Sequence, residues 1–339
     1  MPPPLVSIII PVYNRENLIA ETLDSVLRQT LHNWECVIID DGSIDRTLDI
    51  AREYSATDNR FKIILRNRDP KGAPTCRNIG IESSIGEYLI FLDSDDILLE
   101  DCLCRRIDFM ISNLDIDFSV SQGLHGEYPI DFTTQYYYVR NHVDKNLIEN
   151  FSMLAPSWLT LNSIWRKHSI LKNKLFWNED LTALQDVELH LRAILKGLIF
   201  SLNGDIPDCI VRKHGQPRIS ANLNLERNVF ILINYGILPN THKKNRGLYN
   251  CLVARIISEI YMHDNGILSV TSFINKKLLK PLDYYRLIIL TGVIKRIKNS
   301  KIKGKSYIVN LLLKIFGVEM YFKFKYEDYD QYFPVKYKN

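Results

Sequence analysis

Tyr88-Leu89-Ile90-Phe91-Leu92-Asp93-Ser94-Asp95-Asp96 begins as an unbroken apolar run and ends on three carboxylates. Apolar residues in succession, rather than in alternation, suit a parallel strand covered on both faces. Asp93, Asp95 and Asp96 then fall at the strand's C-terminal end, the edge where open α/β sheets bind ligands. Like charges this close repel one another, and a hard divalent cation with oxygen ligands relieves the repulsion. The competing reading makes Ser94-Asp95-Asp96 a polar cap for a helix beginning near Leu98.

Outward from that strand, the pattern alternates between the two periodicities. Val6 to Pro11 is a short β-branched run stopped by a residue that donates no ladder hydrogen bond. Asn17 to Thr30 places Leu18, Ile19, Leu23, Val26 and Leu27 at helical spacing, with Asn14 as a candidate cap. Glu35 to Asp40 and Phe61 to Arg66 read as strands, and Thr47 to Tyr54 and Ala73 to Ser83 as helices. This βαβ alternation predicts a mostly parallel sheet with right-handed crossovers and helices on both faces. Further on, Leu98 to Leu114 reads as a helix and Phe118 to Ser121 as a strand. An aromatic stretch, Glu127 to Arg140, follows, in which Tyr136-Tyr137-Tyr138 is read as filling both faces of a strand rather than stacking on a sugar. Ser163 to Trp165, Ile199 to Leu202 and Cys209 to Arg212 read as short strands, with a helix over Gln185 to Lys196.

From about Asn224 the pattern becomes long and helical, over 225–237, 247–262, 267–279 and 281–298, so a domain of residues 1–225 is expected to be followed by a basic helical one of 226–339. Charge divides at the same place: residues 1–225 hold 23 basic and 31 acidic side chains, residues 226–339 hold 20 and 8. The second part is expected to meet an anionic partner, and the cluster Lys295, Arg296, Lys298, Lys301, Lys303 and Lys305 beside Ile294 and Ile297 points to an anionic membrane surface rather than nucleic acid. No window is apolar enough to span a bilayer and the N-terminus lacks a signal-peptide pattern, so the expected location is cytoplasmic, peripheral to the membrane. Six cysteines without CxxC spacing are expected to be reduced.

A dinucleotide-binding enzyme or a nucleotidylyltransferase needs glycines after the first strand. The loop here is Pro11-Val12-Tyr13-Asn14-Arg15, bulky and polar, which argues against both. Acid recurs instead at strand ends: Asp40-Asp41 after the second, Asp93-Ser94-Asp95-Asp96 after the fourth. Tyr13 offers a ring face for a base, and Asp41 an acceptor for a uracil imide N–H. Arg77 offers a charge-assisted contact to base or diphosphate, with Glu82 or Glu87 as its alternative local partners.

Ser7-Ile8-Ile9-Ile10-Pro11-Val12-Tyr13-Asn14, Asp40-Asp41-Gly42-Ser43-Ile44-Asp45, Cys76-Arg77-Asn78-Ile79-Gly80 and Asp93-Ser94-Asp95-Asp96 stand in an order and spacing that resembles the family 2 glycosyltransferases. The likeness is close over about 100 residues and looser to about Ser220. It implies a GT-A fold, a UDP-sugar donor, transfer with inversion to a saccharide or lipid-linked saccharide acceptor, and Mn²⁺ or Mg²⁺. Carried over by position, Pro11, Val12, Tyr13, Asp41, Arg77, Asp93 and Ser94 would bind the nucleotide sugar and Asp95 the metal. Val211-Arg212-Lys213-His214-Gly215 resembles the segment that supplies a histidine to the metal or diphosphate, which nominates His214. Gln185-Asp186-Val187-Glu188 resembles the Glu-Asp motif whose aspartate is the base. Asp186 is present, but Gln replaces the first acid, and Glu188 is the substitute candidate. That replacement motivates the alternative of a nucleotide-sugar-binding protein without turnover.

Overall fold

The computed structural model describes residues 3–129, 136–138, 158–215 and 334–335. The four C-terminal helical segments, the basic cluster and the domain boundary near residue 225 lie outside the described residues, as does most of the Glu127 to Arg140 stretch.

In chain order the elements are β1 Val6–Val12, α1 Ile19–Leu27, β2 Trp34–Asp40, α2 Thr47–Thr57, β3 Phe61–Leu65, α3 Ala73–Ser83, β4 Tyr88–Phe91, β5 Ile97–Leu98, α4 Cys102–Ser112, β6 Phe118–Val120, β7 Gly123–Gly126 and β8 Tyr136–Tyr138. A 3₁₀ turn at Thr160–Asn162 precedes β9 Ser163–Arg166, α5 Lys167–Lys172, α6 Gln185–Leu195, β10 Phe200–Leu202, β11 Cys209–Arg212 and β12 Pro334–Val335. The main sheet has the order β10-β6-β9-β4-β1-β2-β3. It is parallel except for β9, which runs antiparallel to both β4 and β6. This is the mostly parallel sheet that the alternating pattern predicts, and it agrees with the GT-A fold that the resemblance implies.

The register explains why the acids share a rim. Val12 lies opposite Asp40, and Ile9 opposite Phe91, so the chain leaves β1, β2 and β4 at one level of the sheet. Ile8, Ile10, Ile38 and Ile90 are fully buried in the core that holds those strand ends in place. Gly80 lets α3 lie directly on the sheet: a Cβ there would come within 2.3 Å of Ile9 Cγ2. At the far side, Phe118 stacks on Trp165 with centroids 4.0 Å apart, and Trp158 and Phe200 close around them. His190 is enclosed by these rings. Burial pushes its imidazole down to about 4, so it is neutral at physiological pH. Its Nδ1 lies 2.8 Å from the Asp186 carbonyl, and since a carbonyl only accepts, Nδ1 carries the proton and pins the first turn of α6.

A second sheet, ordered β12-β8-β7-β11-β5, crosses the chain just past the carboxylates. It corrects two sequence expectations. Ile97–Leu98 is a strand paired antiparallel to Cys209–Ile210, and α4 begins only at Cys102, so the acidic stretch does not cap a helix at Leu98. Gly123–Gly126 is a strand parallel to β11 where only a loosening pattern is legible. Asn14 likewise does not cap α1: its Oδ1 accepts the Ile44 amide at 2.9 Å.

Candidate active site

The first wall of the site is two loops stitched together. Asn14, with φ of 49°, takes a left-handed conformation that Asn tolerates, and its amide donates to Ser43 Oγ at 3.0 Å. The Arg15 amide donates to Thr47 Oγ1 at 2.7 Å, and the Arg46 amide to Glu16 Oε2 at 3.0 Å. Asp40 serves the turn itself, its Oδ2 accepting from the amides of Gly42 and Ser43. Asp41 faces the other way: its Oδ1 accepts from Arg66 Nε at 2.5 Å and from the Gly72 amide at 3.3 Å. Gly72, with φ of 141°, takes a backbone conformation that side chains disfavour. Tyr13 remains 40% exposed beside this wall, and Lys71 Nζ lies 3.4 Å from its ring centroid. Pro11 and Val12 are buried beneath it, and Asp41 is tied to them by its amide's bond to the Val12 carbonyl at 2.9 Å.

The second group gathers around Arg77 on α3. Neither Glu82 nor Glu87 is its partner. Nη2 donates to Asp93 Oδ1 at 2.5 Å, Nη1 to Gln185 Oε1 at 2.8 Å, and the guanidinium lies 4.4 Å over the Trp177 ring. Glu82 pairs with Arg68 instead. The neighbouring Asn78 clasps the Trp177 backbone from both sides, donating to its carbonyl and accepting from its amide. Two adjacent α3 residues therefore hold the segment that leads into α6.

Asp186 stands in the first turn of α6, within the electrostatic reach of Arg77 and Asp93. Loss of hydration pushes its carboxyl above the ordinary carboxylate range, with the Asp93 charge adding to the rise and the Val187 amide and Arg77 opposing it. Glu188 is committed elsewhere: both its oxygens accept from Arg192, at 2.7 and 2.8 Å, and its side chain is buried. Asp186, by contrast, is in no such ion pair, and its Oδ1 accepts from the Val187 amide at 2.9 Å.

The third group carries the metal question. Asp95 Oδ2 lies 3.0 Å from His214 Nε2 and 3.7 Å from Arg15 Nε. The two are hydrogen-bond partners of each other, and a carboxylate oxygen and an imidazole nitrogen are both groups that divalent transition metals accept. Among the described residues no three His, Cys, Asp or Glu side chains come together. Asp95 and His214 could supply at most two protein ligands to a divalent cation, whose remaining positions oxygens from elsewhere would have to fill. Asp96, the third acid, is structural: its Oδ1 accepts the Arg212 amide at 3.0 Å. Ser94 is buried, and its carbonyl accepts from Thr22 Oγ1 at 3.2 Å.

Arg212 escapes a sequence reading, because its partners are scattered along the chain. Its side chain is buried and donates to the Asp95 carbonyl at 2.6 Å and the Leu18 carbonyl at 3.0 Å, and it pairs closely with Glu21. It thus holds the backbone of Asp95 while standing two residues before His214. Arg212→Met should leave those acceptors without their charged donor, lowering stability on the order of 3 kcal/mol. Urea unfolding checks that figure, and calorimetry should show weaker Mn²⁺-dependent UDP binding, partly restored in Arg212→Lys.

Comparison with known proteins agrees with this geometry. The model of Glycosyl transferase family 2 matches residues 7–153. The chain is similar to a UDP-Glc:alpha-D-GlcNAc-diphosphoundecaprenol beta-1,3-glucosyltransferase, WfgD, of Escherichia coli, 41% identical over 166 residues that make up 49% of this chain and 57% of that one. The chain spans about half or less of the length of the curated relatives it matches. Among solved structures, S. aureus TarS 1-349 in complex with UDP-GlcNAc superposes with a TM-score of 0.64 at 19% identity, covering 94% of this chain and 93% of that one. A mannosyltransferase of Pyrobaculum calidifontis in complex with GDP-Man and Mn²⁺ superposes at 0.51 and 15% identity, covering 93% and 86%. At these identities the two structures speak for the shared fold alone.

Proposed function

We propose, on the match of residues 7–153 to the model of Glycosyl transferase family 2, that the chain is an inverting, metal-dependent glycosyltransferase that moves a sugar from a UDP-sugar to a saccharide or lipid-linked saccharide in surface polysaccharide synthesis. The observation that carries this reading is the placement of Asp186, a carboxyl in no ion pair and of raised proton affinity, within electrostatic reach of the Arg77–Asp93 pair at the C-terminal rim of the sheet. Support for uridine comes from Tyr13 and Asp41, a ring face and a carboxylate on one wall. Support for a lipid-linked acceptor comes from the diphosphoundecaprenol acceptor named for the relative WfgD.

In this mechanism Asp186 accepts the proton of an acceptor hydroxyl as its oxygen forms the bond to the anomeric carbon. The bond between that carbon and the UDP oxygen breaks on the opposite face, and UDP leaves with the bonding pair. Asp93 and Arg77 orient the nucleotide, and Asp186, held at the start of a rigid helix, orients the nucleophile. Asp95 and His214 would hold a divalent cation, which when bound neutralises charge on the diphosphate leaving group.

The deciding experiment is UDP release from a panel of UDP-sugars in Mn²⁺, with and without lipid-linked saccharide acceptors. Release stimulated by acceptor is the expected result. UDP-sugar binding in calorimetry with no release from any donor would establish the alternative that Gln185 motivates, a binding protein without turnover. The basic 226–339 segment, net positive by 20 basic against 8 acidic residues, is proposed to hold the enzyme at an anionic membrane surface, at about 1 kcal/mol per basic residue near the leaflet. Co-sedimentation with anionic vesicles at low salt should exceed that with neutral vesicles, and equal pelleting would overturn the attachment.

A further inference from the structure

Gln185 makes two hydrogen bonds of opposite sense. Its Oε1 accepts from Arg77 Nη1 at 2.8 Å, and its Nε2 donates to the Leu181 carbonyl at 3.3 Å. A primary amide does both, whereas an ionised Glu accepts only and a hydrocarbon chain does neither. Arg77 in turn holds Asp93 through its other amine at 2.5 Å. Asp93, Arg77, Gln185 and the Leu181 carbonyl thus form a continuous chain from the end of β4, across the N-terminal half of α3, to the loop that launches α6. That loop ends on Leu184 with φ of 59°. A bulky residue in the left-handed region is strained and persists only where its surroundings hold it. Gln185 and Asp186 follow immediately.

We infer that Gln185 is a positioning residue, whose amide ties the donor-side Asp93–Arg77 pair to the Leu181 carbonyl and so holds the left-handed turn from which Asp186 enters the site. The inference rests on the glycosyl-transfer reading above. Gln185 acts through Arg77 and through the turn, and it is assigned no substrate contact. On this view the amide is not a weakened acid. A Glu would keep the Arg77 bond but set a carboxylate against the Leu181 carbonyl, while Arg77 keeps Asp93 through its other nitrogen.

The test compares the full chain with Gln185→Glu, which is nearly isosteric, and Gln185→Met, which keeps the length and removes both bonds. Amide hydrogen exchange across 181–187 should quicken in both variants while UDP affinity in calorimetry is retained. With the donor and acceptor found active for the wild type, kcat should fall about tenfold or more while donor KM stays within about twofold. The acidic limb of the kcat–pH profile should also move upward in Gln185→Glu and not in Gln185→Met. The charged groups facing Asp186 are Arg77 from α3 and Asp93 after β4, with Glu188 and Arg192 paired to each other on its own helix. A further carboxylate beside it disfavours its ionised form. Wild-type exchange and kcat in both variants would overturn the inference, as would parallel loss of UDP affinity and donor KM, which would place Gln185 in the donor site itself. If the wild type binds UDP but turns nothing over, the transfer reading fails, while the exchange comparison still decides whether the amide holds the turn.

Discussion

Asp95→Ala is expected to abolish the Mn²⁺-dependent part of UDP binding. Asp95 and His214 face one another at 3.0 Å on the rim where the chain leaves β4 and β11. A cation that depends on few protein ligands and on substrate phosphate has little to replace a lost carboxylate. Supporting groups around a metal are worth 10–100-fold in affinity, so losing a direct ligand should raise the apparent UDP dissociation constant in Mn²⁺ by at least about 10²-fold. The fold should survive, because the Asp95 side chain keeps 18% of its surface exposed and water can replace it beside Arg15 and His214. In the presence of a chelator, wild type and variant should bind UDP alike through Tyr13, Asp41 and the Arg77–Asp93 pair. Unchanged affinity and unchanged metal dependence in calorimetry would move the cation site elsewhere.

What makes that prediction specific was only half legible in the chain itself. The apolar runs of β1, β2 and β4 and the acids that end them are local signals, and a parallel sheet brings such ends to one rim whatever the side chains do afterwards. The span of α6 was equally readable, because Val187, Leu191 and Ile194 repeat at helical spacing. Which acid does what was not readable. Asp40 and Asp41 are neighbours of the same type, yet one closes a turn and the other faces Arg66 and Gly72. Asp95 and Asp96 divide in the same way between His214 and the Arg212 backbone. Asp41, Asp95 and Asp96 are each assigned by a partner far along the chain, Arg66, His214 and Arg212 respectively. Local reasoning also offered Glu82 and Glu87 to Arg77, whereas the fold carries Arg77 to Asp93 and Gln185. Two-residue strands such as β5 carry no periodicity at all, which is why α4 was expected four residues too early.

Asp186→Asn should lower turnover by at least the ~10²-fold that general-base assistance contributes, while leaving donor binding near normal. A sugar hydroxyl is a poor nucleophile at neutral pH, and the Asp186 carboxyl, unlike those of Glu188 and Asp93, is not ion-paired with an arginine. Glu188 is held by Arg192 through both oxygens and Asp93 by Arg77, so neither is placed to substitute. Asn keeps the shape and can still accept the Val187 amide that Asp186 Oδ1 accepts at 2.9 Å. The pH dependence follows from the raised proton affinity of Asp186. The base works only when ionised, so wild-type kcat should fall as pH drops through a value above the ordinary carboxylate range, and Asp186→Asn should lose that limb. Stability should change in the opposite sense to activity. A carboxyl raised in the fold favours the folded state when protonated, and this advantage disappears as pH rises through its folded value. At neutral pH the wild type therefore bears the cost of an ionised, poorly hydrated Asp186, and Asp186→Asn should melt at the same temperature or higher. Glu188→Gln is the control: it breaks a buried ion pair, so it should lower the melting temperature while retaining far more turnover. Near-wild-type transfer by Asp186→Asn together with its loss in Glu188→Gln would reassign the base to Glu188.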